Sequence, residues 1–178
     1  RTRADRFAGE IGGVSVATPA EVAAAADLII TMLPNSDIVG AVLTGEAGAL
    51  GVLRPGAIVI EMSSGVPAKT IALGQQVREA GGHMVDGPVS GGVARAETGT
   101  LTIMLGGEEA QVARVEPVLQ HLGSSLLRTG GLGSGHAMKA LNNLVSAGGF
   151  LIGVEAMVIG KKFGLDPFRD VQVLSPQV

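Results

Sequence analysis

The 178 residues carry 13 Lys and Arg against 16 Asp and Glu, and aromatics are only 2%, so neither a basic footprint nor a stacking platform for nucleic acid is present. Hydrophobic residues make up 46% and the 28 glycines are scattered between apolar runs, which supplies a core and argues against disorder. There is no cysteine, hence no disulfide framework and no thiolate nucleophile.

In chain order, the opening RTRADRFAGE has no apolar stretch of signal-peptide type, and a cytoplasmic location is expected. The chain begins at Arg1 rather than Met, so it is expected to be a piece of a longer chain. VSVA (14–17) reads as a short strand. In TPAEVAAAA, Thr18 suits an N-cap and Pro19 the first helical position. DLIITML (27–33) is an apolar run ended by Pro34, as expected of a strand buried on both faces. A helix around Asp37–Leu43 precedes a strand near Ala57–Met62, and helical periodicity returns over Pro67–Ala80. HMVDGPV and TLTIMLGG are further strands, with a helix over Glu108–Leu122 and a last short strand at SSLLRTG. Strands alternating with helices of this length predict an α/β fold with a Rossmann-like, mostly parallel sheet.

From Ser134 the style changes. The stretch to Gly164 has no proline and reads as one helix, roughly 45 Å long. Glu155 interrupts its apolar run, and Asn142 and Asn143 precede it, so a buried helix is expected rather than a membrane span. The expected division is 1–133 for a partial dinucleotide-binding domain, and 134–178 for an interdomain helix and the start of an all-α domain.

In open parallel sheets, ligands bind beyond the carboxyl ends of the strands. Three successive strands end here in small, polar loops: LPNSD (33–37), MSSGVP (62–67) and DGPVSGG (86–92). Such loops are common in α/β turns, but three in a row point to a ligand. Ser90, Gly91 and Gly92 offer bare backbone N–H groups that suit a carboxylate, although a tight turn has the same composition. Lys139, Asn142 and Asn143 fall at i, i+3 and i+4 on one helical face. Lys139 is either a solvated helix residue or, in a cleft, a general acid or base. His83, His121 and His136 show no metal spacing and read as surface or loop residues, and no metal is expected. Arg1, Arg3 and Arg6 read equally as a phosphate patch or as a solvated helix start.

Taken together and in order, these segments resemble the β-hydroxyacid dehydrogenases, the family of 3-hydroxyisobutyrate dehydrogenase. DGPVSGGVARAETGTL (86–101) is similar to the family's substrate segment, and GLGSGHAMKALNN (131–143) to its catalytic segment. TMLPN, EMSSGVP and LTIMLGG also fit. The resemblance implies Lys139 as catalytic acid/base, Asn142 and Asn143 beside it, and Ser90, Gly91 and Gly92 around the substrate carboxylate. It implies Leu33, Pro34 and Ser64 along the cofactor, with Arg1 near the adenosine ribose, where it could favour NADP over NAD. The implied reaction interconverts a small 3-hydroxy acid and its semialdehyde, in a full-length protein expected to be a homo-oligomer. Tartronate semialdehyde reductase and L-threonate dehydrogenase activities are the alternatives. A 6-phosphogluconate dehydrogenase-like enzyme is a rival, but the acidic residues expected after its V-S-G-G element are replaced by VARA. A non-catalytic binding module, or an inactive fragment, is the rival of another class.

The family's G-x-G-x-x-G fingerprint is not found. GLGSGH ends in His136 where the third glycine should stand, and it lacks the expected strand–turn–helix setting. The first strands of the sheet are therefore expected to be missing, and the chain alone is expected to be inactive and poorly folded.

Overall fold

A computed structural model describes residues 2–166. By its contacts the chain divides into two compact units, Arg1–Lys139 and Ala140–Val178.

The first unit opens with helix α1 (Thr2–Ile11). Helix α2 (Pro19–Ala25) starts where expected: Thr18 accepts from the Glu21 amide, and the Glu21 carboxylate closes the capping box on the Thr18 amide. Strand β1 (Leu28–Thr31) leads to α3 (Ser36–Thr44), whose N-cap Asn35 accepts from the Asp37 and Ile38 amides. Strand β2 (Ile58–Glu61), helix α4 (Pro67–Glu79) and strand β3 (His83–Asp86) complete two parallel crossovers. Then come β4 (Val89–Ser90), α5 (Gly92–Glu97), β5 (Leu101–Gly106), α6 (Glu109–Leu119) and β6 (Gly123–Gly130).

The sheet runs β1-β2-β3-β5-β4, with β6 also on β5. β5 is antiparallel to β3 and β4, and parallel to β6. Side-chain alternation along β2 divides the core between the two faces. Val59 packs with Ala23, Val39, Leu43 and Val77 on one side, while Ile58 and Ile60 pack with Val112, Val115 and Leu119 on the other.

Two sequence expectations fail at the same edge. Residues 14–17 form no strand, and Val14 is 87% exposed. β1 is not buried on both faces: Ile30 is 43% exposed. The physical reason is shared, because among the described residues β1 pairs only with β2 and residues 14–17 pair with nothing. A strand needs a neighbour for its N–H and C=O groups, and apolar content does not replace one.

Helix α7 (Ser134–Lys162) is continuous. It also corrects the reading of GLGSGH, which does link a strand, β6, to a helix. Its residues beyond Lys139 belong to the second unit, where Leu144, Val145, Phe150, Leu151 and Ile152 are exposed. By length and composition alone α7 is apolar enough to cross a membrane.

Ile60 is fully buried in the central strand. Ile60→Ala should lower the unfolding free energy by about 2–5 kcal/mol, measured by denaturant titration.

Candidate active site

The carboxyl ends of β1, β2 and β3 lie side by side, so the three small-residue loops do meet along one edge. Ser63 ties two of them together, its hydroxyl accepting from the Leu33 amide at 2.9 Å. DGPVSGG is only partly loop. Val89 and Ser90 pair with Ile103 and Thr102 of β5, and Gly91 takes φ +135°, a conformation that favours glycine.

Beneath this edge lies a buried charged cluster absent from the sequence reading. Asp86 ends β3 and is 0% exposed; Glu61 ends β2 and is 2% exposed; His136 is 1% exposed. The Asp86 carboxylate accepts from the backbone amides of Gly133 and His136, both at 2.7 Å. It thereby caps the N-terminus of α7, where a negative charge meets the positive end of the helix dipole. The His136 ring closes the other side. Its Nε2 lies 2.9 Å from both Glu61 Oε2 and the Ser63 carbonyl oxygen, and its Nδ1 lies 2.8 Å from Thr70 Oγ1 and 3.5 Å from Asp86 Oδ2. Glu61 Oε1 accepts from the Ser63 amide at 2.8 Å. His136 is thus neither a surface nor a loop residue: it sits in the first turn of α7, packed against two strand ends and α4.

Burial pulls the imidazole toward its neutral form. The Glu61 hydrogen bond and charge, the Asp86 charge and the Ser63 carbonyl outweigh this and raise its pKa above 6.5. Burial raises Asp86 above 3.8, against the lowering effect of the Gly133 and His136 amides and the His136 charge. Small residues permit these approaches. A Cβ on Gly135 would collide with the Met104 carbonyl oxygen and lie 2.8 Å from Asp86 Oδ2, and one on Gly65 would lie 2.8 Å from His136 Cε1.

Lys139 follows His136 by three residues on α7, still in the first unit and half-buried. Its side chain makes no hydrogen bond or ion pair among the described residues. Asn142 and Asn143 continue α7 in the second unit. Ser90 is half-buried, and Gly91 and Gly92 are exposed. Leu33 is half-buried, while Pro34 and Ser64 are exposed. Arg1 lies outside the described residues. Among those residues, no group of three or more His, Cys, Asp or Glu has the arrangement of a metal site. In the Asp86 cluster, the carboxylate oxygens are occupied by N–H donors.

Residues 1–131 match the model of the NAD binding domain of 6-phosphogluconate dehydrogenase, and 133–176 that of the NAD-binding region of NADP-dependent 3-hydroxyisobutyrate dehydrogenase. The chain is 42% identical over 147 residues to 2-(hydroxymethyl)glutarate dehydrogenase of Eubacterium barkeri, a match covering 83% of this chain and 49% of that protein. It is 40% identical to 2-hydroxy-3-oxopropionate reductase of Escherichia coli K12, over 92% of this chain and 56% of that one. The solved structure of Mycobacterium tuberculosis 3-hydroxyisobutyrate dehydrogenase with L-serine superposes with a TM-score of 0.85 at 34% identity, over 93% of this chain and 55% of that one. The chain belongs to the β-hydroxyacid dehydrogenase family, and its matched regions are NAD-binding ones. It spans about half the length of the curated relatives it matches.

The strand ends of the first unit leave exposed and unpartnered groups that suit such a cofactor. Pro34 and Ser64 are exposed at adjacent strand ends, and the buried Thr31 hydroxyl at the end of β1 has no hydrogen-bond partner among the described residues. Beside β1 runs a cleft of about 720 Å³ lined by Phe7, Val16, Ile30 and Met32. The N-terminus of α7, by contrast, is closed to a pyrophosphate, because Asp86 already occupies its amides.

Two outcomes follow. Gly135→Ala forces the helix off its strand and should cost about 1–3 kcal/mol in denaturant unfolding. The fold holds the His136 proton more tightly than the unfolded chain does. That stabilisation is fully present below about 6.5 and is lost as pH rises through the raised value. Unfolding free energy should therefore fall with rising pH across this window, and His136→Gln should flatten the slope.

Proposed function

We propose that the protein carrying this chain is an NAD(P)-dependent oxidoreductase that interconverts a small 3-hydroxy acid and its semialdehyde, as 3-hydroxyisobutyrate dehydrogenase does. One observation carries the reading. Asp86, the first residue of the DGPVSGG segment, holds the Gly133 and His136 amides and so ties that segment to the helical turn bearing Lys139. The Met104 amide donates to the Pro88 carbonyl, and the Met104 carbonyl lies against Gly135, so the same strand braces both pieces.

In this reading the amides of Gly91 and Gly92 and the Ser90 hydroxyl hold the substrate carboxylate. Lys139 Nζ takes the proton of the substrate hydroxyl on oxidation and returns it on reduction. Asn143, with Asn142 beside it on the helix, is assigned to substrate positioning. Leu33, Pro34 and Ser64 line the cofactor, with Arg1 near the adenosine ribose. Bound NAD(P) would supply a two-electron hydride acceptor; the substrate carbon would give up hydride and its hydroxyl oxygen the proton, leaving a carbonyl. The protein's task is to hold the reacting carbon against that acceptor in attack geometry. The apolar face of α7 serves protein packing in a soluble, cytoplasmic homo-oligomer. Reduction of 2-hydroxy-3-oxopropionate is the second reading, favoured by the 40% identity to that reductase.

Lys139→Ala in the whole protein should lower kcat for NAD(P)-linked oxidation of 3-hydroxyisobutyrate by about 100- to 10,000-fold, with cofactor affinity little changed. Retention of turnover by this variant contradicts the assignment.

A further inference from the structure

We propose that His136 is held as an imidazolium and, with Glu61 and Asp86, acts as a positioning unit that fixes the first turn of α7 and so the presentation of Lys139. This rests on the oxidoreductase reading for its kinetic consequence, though not for its geometry.

Hydrogen-bond accounting assigns the charge. Nε2 faces two acceptors, the Glu61 carboxylate and the Ser63 carbonyl, and so carries a proton. Nδ1 faces the Thr70 hydroxyl and the Asp86 carboxylate. The Thr70 hydroxyl has one hydrogen for two neighbours, the Val66 carbonyl at 3.2 Å and Nδ1 at 2.8 Å; the Asp86 carboxylate 3.5 Å from Nδ1 favours the proton on the ring and the hydroxyl hydrogen on Val66. Nδ1 therefore also carries a proton.

The charge balance agrees. Two carboxylates that are 0% and 2% exposed would stand together without a cation if the ring were neutral. With the ring charged, one negative charge remains, facing the positive end of a 29-residue helix. Glu61 from β2 and Asp86 from β3 are the charged groups that pair with the ring among the described residues. α4 contributes only the Thr70 hydroxyl, and the loop after β2 only the Ser63 carbonyl. On α7 itself, Lys139 follows three residues on.

The consequence is mechanical. The two Asp86 bonds set the depth of α7, and the ring bonds set its rotation about the axis. Lys139 sits less than one turn further along. Loss of the ring proton leaves Nδ1 or Nε2 facing acceptors without a hydrogen, so the turn loosens and Lys139 loses its aim.

Two measurements on the whole protein test this. The first is ¹⁵N NMR of the histidine rings at pH 7.5. Both nitrogens of His136 should be protonated, and Glu61→Gln should bring the ring toward neutrality; a neutral His136 in the unmodified protein overturns the proposal. The second is steady-state kinetics across pH. His136→Gln keeps an Nε2 donor but no charge. It should lower kcat by about 10- to 100-fold, leave the KM for cofactor within about 3-fold, and shift the alkaline limb of the kcat profile. Thr70→Val keeps all three charges, removes one ring partner, and should lower kcat by about 3- to 10-fold. If His136→Gln does not fold, Thr70→Val decides. A folded variant with unchanged kcat and pH profile overturns the proposal. Absence of any NAD(P)-linked turnover by the unmodified protein would sink the oxidoreductase reading instead, and the ring measurement would still decide the charge.

Discussion

Asp86 carries a carboxylate to the buried end of β3 and commits both oxygens to the backbone of another element. That single group joins β3 to α7. A buried carboxylate is costly unless its oxygens meet donors, and a helix N-terminus is costly to bury unless its amides meet acceptors. Each feature satisfies the other. The glycines at 106 and 135 follow from this contact, since a side chain at either would strike the carboxylate. His136 and Glu61 close the remaining side, so that no polar atom of this cluster is left without a partner.

Much of the fold was legible because its elements are punctuated locally. Thr18 with Pro19, and Pro67, start α2 and α4 at positions the sequence marks, and α3 covers the helix expected around Asp37–Leu43. Apolar runs gave β2, β3 and β5. VSVA misled because strand formation is not a local property: the valines are right, but no partner strand lies beside them. The same open edge explains why Ile30 is exposed on a strand whose composition suggests burial on both faces.

That three strand-end loops lie along one edge was legible in the sequence. The three loop segments and the lysine stand out in sequence, by small residues at strand ends and by a cation in an apolar helix. The cluster beneath them does not, because Glu61, Asp86 and His136 are far apart in the chain and share no spacing rule. One signal was available. Glu61 and Asp86 both end apolar strands, and a charged residue there either meets a partner or faces a ligand. His136 replaces the third glycine of an apparent fingerprint, and that departure marks its own role: the GLGSG turn receives a protein carboxylate in place of a phosphate.

The Asp86 carboxylate clasps the helix carrying Lys139 to the sheet. Native-state amide hydrogen exchange at Gly133 and His136 measures this clasp directly. These two amides should exchange as slowly as the central residues of β2 and β3, opening only with the whole first unit. Exchange at the rate of an exposed loop, while β2 and β3 stay protected, would contradict it.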